Sequence, residues 1–191
     1  MTDVIVRQTN DLSRIVDEFS RFARMPEPDR RSEDIIDILN SAVSLQETGF
    51  PKISFKRNII KSPIIYELDS TMISQALINL LKNAGEAIES RINNDHHPEV
   101  FGQIEVNALS MGNALKISIV DNGVGLPEDR NRLFEPYVTT RENGTGLGLA
   151  IVKKIIEEHG GLFRLEDAPP FSDTGIVGAA AVLELPFYNS N

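Results

Sequence analysis

Residues 121–125 read Asp-Asn-Gly-Val-Gly, and residues 144–150 read Gly-Thr-Gly-Leu-Gly-Leu-Ala. Residues 115–120, before the first cluster, alternate apolar and polar side chains, which predicts a half-buried strand. Residues 150–159, after the second cluster, have the apolar spacing of a helix. The predicted order is therefore a strand that ends in a carboxylate and a glycine turn, a long loop, and a glycine cluster at a helix N-terminus.

This order of elements suits a nucleotide. Glycines let backbone N–H groups approach a ligand closely, and a helix N-terminus offers unpaired N–H groups and a partial positive charge to a phosphate. Asp121, as an ionised carboxylate, only accepts hydrogen bonds and can take one from the exocyclic amine of adenine. Ordinary turn glycines would explain either cluster alone, but the two clusters together with Asp121 favour ligand binding.

A predicted helix over residues 70–88 supplies a second candidate surface. Asp69 or Ser70 is its expected cap. Asn79 and Asn83 lie one turn apart on one face, although Asn is a poor residue for a helix interior. Two solvent-facing amides are the plain alternative. The functional interpretation is that Asn79 reaches a phosphate and Asn83 binds Mg²⁺, which needs only one or two protein ligands.

Composition narrows the class of protein. The chain has 191 residues, of which 41% are hydrophobic and 25% charged, as is typical of soluble globular proteins. A net charge of -9 argues against nucleic-acid binding by a basic face. The absence of cysteine excludes disulfides and cysteine-based zinc sites. The same absence of cysteine fits a reducing cytoplasm, where we expect this part of the protein to lie. No apolar run approaches the roughly 18 residues of a membrane span, so if the parent protein is membrane-bound, this piece is not the part that spans.

The N-terminal residues predict an appendage to this domain. Five apolar residues at heptad spacing predict a coiled-coil-like helix over residues 1–25: Ile5, Leu12, Ile15, Phe19 and Phe22. Two prolines and a run of charges predict a linker over residues 26–31. The remaining domain is expected to span residues 32–191, with Ser32 as the cap of a helix that ends near Gly49.

Most of the remaining segments predict strands, and one long segment predicts a lid. Residues 53–56 and 64–68 predict a hairpin, and residues 104–108 predict a strand that turns at 111–113 into the strand ending at Asp121. The last two strands are expected at 162–165 and 179–185. The loop over 126–145, with a helical turn at 130–134, has the length of a functional lid. His159 before Gly160 is best explained as a helix C-terminus, where a cation suits the dipole.

Four motifs in order carry a family resemblance. Residues 75–88 (Gln-Ala-Leu-Ile-Asn-Leu-Leu-Lys-Asn-Ala-Gly-Glu-Ala-Ile) resemble the N box of the ATP-binding domain of sensor histidine kinases, whose fold is shared with gyrase, Hsp90 and MutL. Residues 121–125 and 144–148 resemble its two glycine boxes, and residues 134–140 (Phe-Glu-Pro-Tyr-Val-Thr-Thr) resemble its F box. Residues 19–28 are similar to nitrogen-regulatory sensor kinases of the NtrY type, in which this segment ends the second helix of the dimerisation and phosphoacceptor hairpin.

The resemblance implies a fold, ligands and binding residues. The implied fold is α+β, a two-layer α/β sandwich of the Bergerat type: a mixed, largely antiparallel sheet with helices on one face, preceded by the coiled-coil-like helix. The implied ligands are ATP or ADP and Mg²⁺, with Asn83 as the metal ligand and with Arg141 where the family often has Lys. The implied nucleotide-binding residues are Asn79, Lys82, Asn83, Glu86, Asp121, Gly123, Gly125, Thr140, Arg141, Gly144, Thr145, Gly146, Leu147 and Gly148.

The resemblance also implies a reaction and partners. The γ-phosphoryl group of ATP would go to a histidine on the preceding hairpin helix, and from there to an aspartate of a response-regulator receiver domain. The parent would be a membrane-anchored homodimer. The phosphoacceptor has no counterpart here, because His96, His97 and His159 lie elsewhere in the chain. We therefore expect a fragment that binds ATP without phosphorylating itself and that contains no catalytic residue. A weak third glycine region at 175–178 is assigned no nucleotide contact.

Two other functions remain open. Hydrolytic ATPases of the same fold use a Glu one helical turn before the Mg-binding Asn, and here that position is Asn79, whose amide cannot act as a base. Phosphoryl transfer needs mainly positioning and charge neutralisation, which favours transfer over hydrolysis. A nucleotide-sensing or dimerisation module without catalysis is the third possibility for these residues.

Overall fold

The computed structural model describes residues 16, 20, 24–94, 100–138, 145–171 and 176–187. In chain order its elements are β1 (Arg31–Asp34), α1 (Ile35–Gly49), β2 (Ile53–Ile59), β3 (Ile65–Leu68), α2 (Ser70–Asn93), β4 (Gly102–Met111), β5 (Ala114–Asp121), a 3₁₀ turn (Asn131–Phe134), α3 (Gly148–Glu158), β6 (Leu162–Asp167) and β7 (Ala179–Pro186). Among these residues no helix is both long enough and apolar enough to cross a bilayer.

A five-stranded sheet forms one layer, in the order β2-β4-β5-β7-β6. β2 and β4 are parallel, and the other three pairs are antiparallel. Alternate residues of β4, such as Ile104 and Val106, are fully buried and share one core with Leu77 of α2 and Ile155 of α3. Because a strand directs successive side chains to opposite faces, this pattern packs the helices on one face. The predicted two-layer sandwich with a mixed, largely antiparallel sheet is confirmed.

The predicted hairpin of residues 53–56 with 64–68 is wrong. β2 pairs in parallel with β4, and Ile60 N extends that pairing by donating to Ala108 O at 3.3 Å. β3 instead pairs antiparallel with β1, in register from Arg31 opposite Leu68. Pro63, which has no N–H to give to a ladder, stands between the two strands. The chain therefore leaves the main sheet after β2 and forms a separate two-stranded sheet.

The predicted cap at Ser32 is also wrong, because residues 31–34 form a strand. Asp34 caps α1, and its Oδ1 accepts hydrogen bonds from Ile36 N and Ile64 N, both at 3.0 Å. The hydroxyl of Ser32 donates instead to the carboxylate of Glu67 on the neighbouring strand. A short carboxylate that satisfies two backbone donors at once thus positions both the start of α1 and the chain that enters β3.

Residues 25–31, predicted mainly as a linker, contact the domain. Met25 packs against the core, and Asp29 N donates to Asp69 Oδ2 at 3.1 Å. Arg31 already belongs to β1. Val16 and Ser20 are helical, whereas the five residues of the predicted heptad stripe lie outside the described residues. The division of the chain at residues 25 and 31 stays a prediction.

Candidate functional site

The turn after β5 lies directly against α2. The Asp121 side chain is 5% exposed, and its Oδ1 accepts a hydrogen bond from Gly123 N at 2.8 Å. A Cβ atom at Gly123 would come within 2.7 Å of the Ala87 backbone, a distance that side chains do not adopt. Glycine is therefore required there for the turn to approach the helix. Asn83 precedes Ala87 by four residues and so shares its face, one turn away from Asp121 and Gly123.

Asn122 holds this turn in place, a role that the sequence did not reveal. Its side chain is 2% exposed, its Oδ1 accepts from Gln103 N, and its Nδ2 donates to Phe101 O, both at 2.8 Å. These bonds tie the end of β5 to the start of β4. The only signal in the sequence is an amide directly after a strand, which can replace ladder hydrogen bonds.

Gly178 supports the same turn from behind. A Cβ atom at Gly178 would lie 1.8 Å from Asp121 O, and one at Gly125, where φ is 76°, would lie 2.9 Å from Val177 O. The chain entering β7 therefore packs backbone to backbone on the Asp121 turn. Sequence reasoning gave the region 175–178 no role, and Gly175 lies outside the described residues.

The α2 face carries the other predicted polar residues. Asn79, Asn83 and Glu86 are half-buried, and Lys82 is exposed. Lys82 Nζ lies 3.7 Å from Glu86 Oε1, an i,i+4 ion pair along the helix. The two amides lie at the boundary between the buried stripe of α2 and its surface, so they are neither fully solvated nor part of the core. That position suits groups that meet a ligand.

Among the described residues, the N-terminus of α3 is open on the side of Gly148. Its cap, Leu147, is 0% exposed and offers no side-chain hydrogen bond to the helix. Thr145 Oγ1 accepts from Leu147 N at 3.5 Å. Apart from the adjoining residues and the backbone of α3 itself, no described atom lies within 4 Å of the position of a Cβ at Gly148. First-turn N–H groups lack acceptors within their own helix, so this end of α3 has the character of a phosphate-binding site.

Within the predicted lid (residues 126–145), Tyr137 is joined to Gly146, which directly follows the lid. Tyr137 N donates to Gly146 O at 3.1 Å, and both residues have positive φ, 69° and 68°. A Cβ at Gly146 would lie 2.5 Å from the Tyr137 carbonyl carbon, which explains the glycine. Three of the predicted site residues on the lid lie outside the described residues: Thr140, Arg141 and Gly144.

The first part of the predicted lid, at Arg130 and Phe134, is anchored to the core layer. The Phe134 ring meets Phe163 of β6 edge-on at a centroid distance of 5.5 Å, and Lys153 Nζ lies 5.4 Å from the Phe134 centroid. Arg130 donates to both carboxylate oxygens of Asp167, at 2.8 and 2.7 Å. These contacts hold the start of the loop against β6 and α3.

Helices α2 and α3 run antiparallel along one another. Asp69 N, at the start of α2, donates to His159 Nε2, at the end of α3, at 3.0 Å. Further along, Ile151 lines the same cleft as Met72 and Gln75. Continuing in this direction places Gly148 at about the level of Asn79. The Asn face of α2, the Asp121 turn and the α3 N-terminus therefore border one region.

The donor atoms in this region match a magnesium nucleotide better than a metal held by the protein alone. Among the described residues no three His, Asp or Glu side chains are grouped as a metal site. Mg²⁺ commonly takes one or two protein oxygens and completes its shell with substrate phosphates and water. The side-chain oxygen of Asn83, beside a helix N-terminus that suits phosphate, fits that pattern.

Comparison with known proteins places the chain in a family. Residues 68–189 match the family of histidine kinase-, DNA gyrase B- and HSP90-like ATPases. The chain belongs to this ATPase family. Members of the family bind ATP or ADP in this fold, so the region between α2 and the α3 N-terminus is the candidate ATP site of a histidine kinase-like ATPase.

Individual relatives show which proteins of this family the chain is similar to. The nitrogen regulation protein NtrY of Azorhizobium caulinodans is 53% identical over 171 residues, which cover 88% of this chain and 21% of that protein. The chain therefore spans about a fifth of the length of this relative. Full-length ShkA in complex with AMPPNP matches with a TM-score of 0.74 and 25% identity, over 96% of this chain and 38% of that one. Histidine kinase ThkA in complex with response regulator TrrA matches with a TM-score of 0.72 and 26% identity, over 96% and 49%.

These matches agree on one class. The chain carries an ATP-binding domain of the sensor histidine kinase type, related to NtrY. The four motifs that predicted this class lie in the matched part of the chain. The comparisons do not test individual binding residues, so the predicted site residues stay predictions.

Proposed function

We propose that this chain binds Mg-ATP between α2 and the N-terminus of α3 and presents the γ-phosphoryl group to a histidine of its parent kinase. The packing of Gly123 against Ala87 carries the proposal, because it brings the Asp121 carboxylate within one helical turn of Asn83. The carboxylate proposed to bind adenine and the amide proposed to bind Mg²⁺ would then lie on adjacent parts of one surface. The AMPPNP complex of ShkA, a structural neighbour, supports a nucleotide at this fold.

Each part of the region has a role in this proposal. Asp121 accepts from the adenine amine, and Gly125 lets the turn pass close to the base. The first turn of α3, with Thr145, Gly146 and Leu147 before it, receives the phosphates. Asn79 and Lys82 complete the phosphate side, together with Thr140, Arg141 and Gly144 of the lid. Asn83, with Glu86 nearby, holds Mg²⁺, which when bound neutralises charge on the phosphate oxygens.

Transfer is favoured over hydrolysis by the residues on α2. A hydrolytic ATPase needs a group that activates water, and Asn79 stands where a base would be required. Positioning and charge neutralisation suffice for phosphoryl transfer. His159 is 1% exposed and so is not accessible as an acceptor. We propose that the acceptor histidine belongs to the dimerisation region of a membrane-anchored parent, with the domain facing the cytoplasm.

A response-regulator receiver domain is the proposed final acceptor. The ThkA match is a complex with a response regulator, which supports this class of partner for a related kinase. The charge of this chain, net -9, is consistent with the expectation that the partner is not a nucleic acid.

The test is calorimetric titration with a non-hydrolysable ATP analogue, with and without magnesium. We expect binding that depends on magnesium, and we expect Asn83→Ala to weaken it by about ten-fold or more, since one hydrogen bond or ligand to a charged group contributes roughly 1.5–3 kcal/mol. The melting temperature of the Asn83→Ala variant should stay close to that of the wild type, because the amide lies outside the buried stripe.

Asn93→Ala is the matched control, because Asn93 is an exposed amide at the other end of the same helix. It should change neither affinity nor melting temperature. No binding by the wild type in magnesium would refute the proposed function. A large loss of melting temperature in Asn83→Ala with unchanged affinity would show instead that the amide is structural.

A further inference from the structure

The far ends of the two site helices meet at a buried histidine. His159 is 1% exposed, its Nε2 accepts from Asp69 N at 3.0 Å, and its Nδ1 lies 2.7 Å from Ile155 O. A carbonyl oxygen can only accept, so Nδ1 carries the proton and donates. Nε2 faces an N–H donor and must accept. The ring is therefore neutral, and its tautomer is set by these two bonds.

The segment before β1 closes over the same place. Asp69 Oδ1 caps α2 by accepting from Thr71 N and Met72 N at 3.0 Å, while Oδ2 accepts from Asp29 N at 3.1 Å. Arg30, the next residue, donates to Glu158 O, the last carbonyl of α3 before His159. Two consecutive residues, Asp29 and Arg30, thus bind the start of one helix and the end of the other.

Burial and the Arg30 cation favour the neutral ring. Burial lowers the pKa of His159, the bond to Ile155 O opposes that shift, and the Arg30 cation lowers the pKa further. The carboxylates of Asp69 and Glu158 act in the raising direction without outweighing burial. At neutral pH the ring can therefore accept from Asp69 N. A protonated ring would present an N–H to that donor and break the contact.

We propose that His159 is a positioning residue of the nucleotide site, which makes the docking of residues 29–30 and the binding of nucleotide mutually dependent. This inference rests on the proposed function. α2 carries Asn79 and Asn83, and α3 begins at Gly148, 11 residues before His159.

Helices are stiff, so the junction at Asp69 and His159 sets the position of Asn79 and Asn83, in the middle of α2, relative to the N-terminus of α3. The docked segment bonds to both helices and stabilises the same arrangement. A coupling of this kind is reciprocal. Docking should favour nucleotide, and nucleotide should favour docking to the same extent.

The test uses two variants of His159 in the full 191-residue chain. His159→Gln keeps a side-chain oxygen that can accept from Asp69 N, whereas His159→Leu has a similar size and no acceptor. Affinity for the magnesium complex of a non-hydrolysable ATP analogue is measured by calorimetry. Docking is measured as the rate of trypsin cleavage after Arg30 and Arg31, with and without nucleotide.

We expect nucleotide to slow this cleavage in the wild type. His159→Leu should weaken nucleotide binding by roughly 2- to 30-fold, the range for residues that modulate coupling without touching a ligand, and should abolish the protection. His159→Gln should keep most of the wild-type affinity for nucleotide and most of the protection from cleavage. If His159 were purely structural, its replacement would lower stability, and His159→Gln and His159→Leu would not differ in nucleotide affinity.

Arg30→Ala keeps the proposal testable if His159→Leu does not fold, because Arg30 is exposed and lies outside the core. It should weaken nucleotide binding in the same direction. Arg57→Ala is its control: this arginine pairs with Glu47 on the other side of the domain and should leave affinity unchanged.

Unchanged affinity in both His159→Leu and Arg30→Ala, or equal impairment in the Gln and Leu variants, would overturn the proposal. A wild type that does not bind nucleotide would refute the proposed function and with it the coupling. Faster cleavage of His159→Leu without nucleotide would then still show that the histidine holds the docked segment.

Discussion

Gly178 and Gly148 both border the candidate site, but the structure gives them different reasons to be glycine. A side chain at Gly178 would overlap the backbone of Asp121, with a Cβ to O distance of 1.8 Å. A side chain at Gly148 would enter the space in front of the α3 N-terminus, where no described atom lies within 4 Å. The first glycine permits the fold, and we propose that the second leaves room for the phosphates of a ligand.

Alanine at these two positions should separate stability from binding. Gly178→Ala must displace Asp121, so we expect it to lower the free energy of unfolding by about 1–3 kcal/mol, as overpacking does, and to abolish nucleotide binding. Gly148→Ala should keep or raise stability, by up to about 1 kcal/mol for Ala over Gly in a helix, while it weakens nucleotide binding by blocking the phosphates. Urea unfolding and calorimetric titration measure the two quantities.

Gly112→Ala is the control, because it measures only the cost of placing a side chain on a backbone with positive φ. Gly112 has φ of 59° in the β4–β5 turn, and a Cβ added there would have no described atom within 4 Å. This variant should lose about 1–2 kcal/mol of stability at unchanged affinity. Full affinity in Gly148→Ala would remove the α3 N-terminus from the proposed phosphate site.

These residues also show what the sequence allows one to predict. The glycines at 121–125 and 144–148 were predictable as a group, because a carboxylate at a strand end and a helix N-terminus have a chemistry that needs close backbone approach. Gly178 was not, because a glycine before a strand is typical of any turn. Its partner, the Asp121 backbone, lies 57 residues earlier in the chain, and no local pattern indicates such a contact.

At the scale of elements, strands and helices were easier to predict than their partners and caps. The alternation in β2 predicts a strand correctly, but its seven-residue pairing with β4 is parallel and distant. A hairpin with β3 was the expectation because neighbouring strands usually pair. Similarly, Ser32 has the chemistry of a cap, but Asp34 accepts from two separate segments and takes that role. Tertiary contacts decided both cases.

The anchor of the lid at Phe134 leads to a prediction at the scale of elements. Phe134 joins the 3₁₀ turn to β6 through Phe163 and to α3 through Lys153. Phe134→Ala should lower the free energy of unfolding by roughly 1–2 kcal/mol, since one half-buried ring and its aromatic pair are lost. It should also speed nucleotide release, because the hydrogen-bonded pair of Tyr137 and Gly146 loses its anchor to the core. Urea unfolding and stopped-flow release of a fluorescent ATP analogue measure these effects.

Phe101→Ala is the matched control, because Phe101 is 86% exposed. It directly precedes β4, where only its backbone carbonyl contacts the turn, through Asn122. This variant should change stability little. A release rate that is unchanged in Phe134→Ala, despite a loss of stability, would show that the anchor serves the core and not the lid.

At the scale of the whole molecule, the sequence predicted the layers and the class correctly but not the way in which the segment before β1 is held. The family resemblance implies a two-layer α+β domain, and two prolines predict a linker. The docking of Asp29 and Arg30 depends on Asp69 and Glu158, which are 40 and 128 residues away. The role of His159 was expected to be that of a cation near the helix end. Its burial makes it a neutral acceptor instead.

This neutral histidine predicts how the stability of the whole domain depends on pH. In the folded state burial lowers the pKa of His159 below its ordinary value near 6.5. Above that pH the ring is neutral in both states, and its contribution to stability is complete. As the pH falls below it, the unfolded chain takes up a proton first, so the free energy of unfolding decreases. The decrease from one such group is at most about 1.4 kcal/mol per pH unit, and it ends below the folded-state pKa.

Urea unfolding between about pH 8 and pH 5 tests this dependence against His159→Gln, which cannot titrate. We expect the wild type to lose stability more steeply than the variant below about pH 6.5, while the two slopes agree above it. His97→Gln controls for the loss of a histidine elsewhere in the chain, outside the described residues, and should keep the wild-type slope. Parallel curves for the wild type and His159→Gln would mean that His159 takes up its proton equally in both states, which contradicts a buried neutral ring that accepts from Asp69 N.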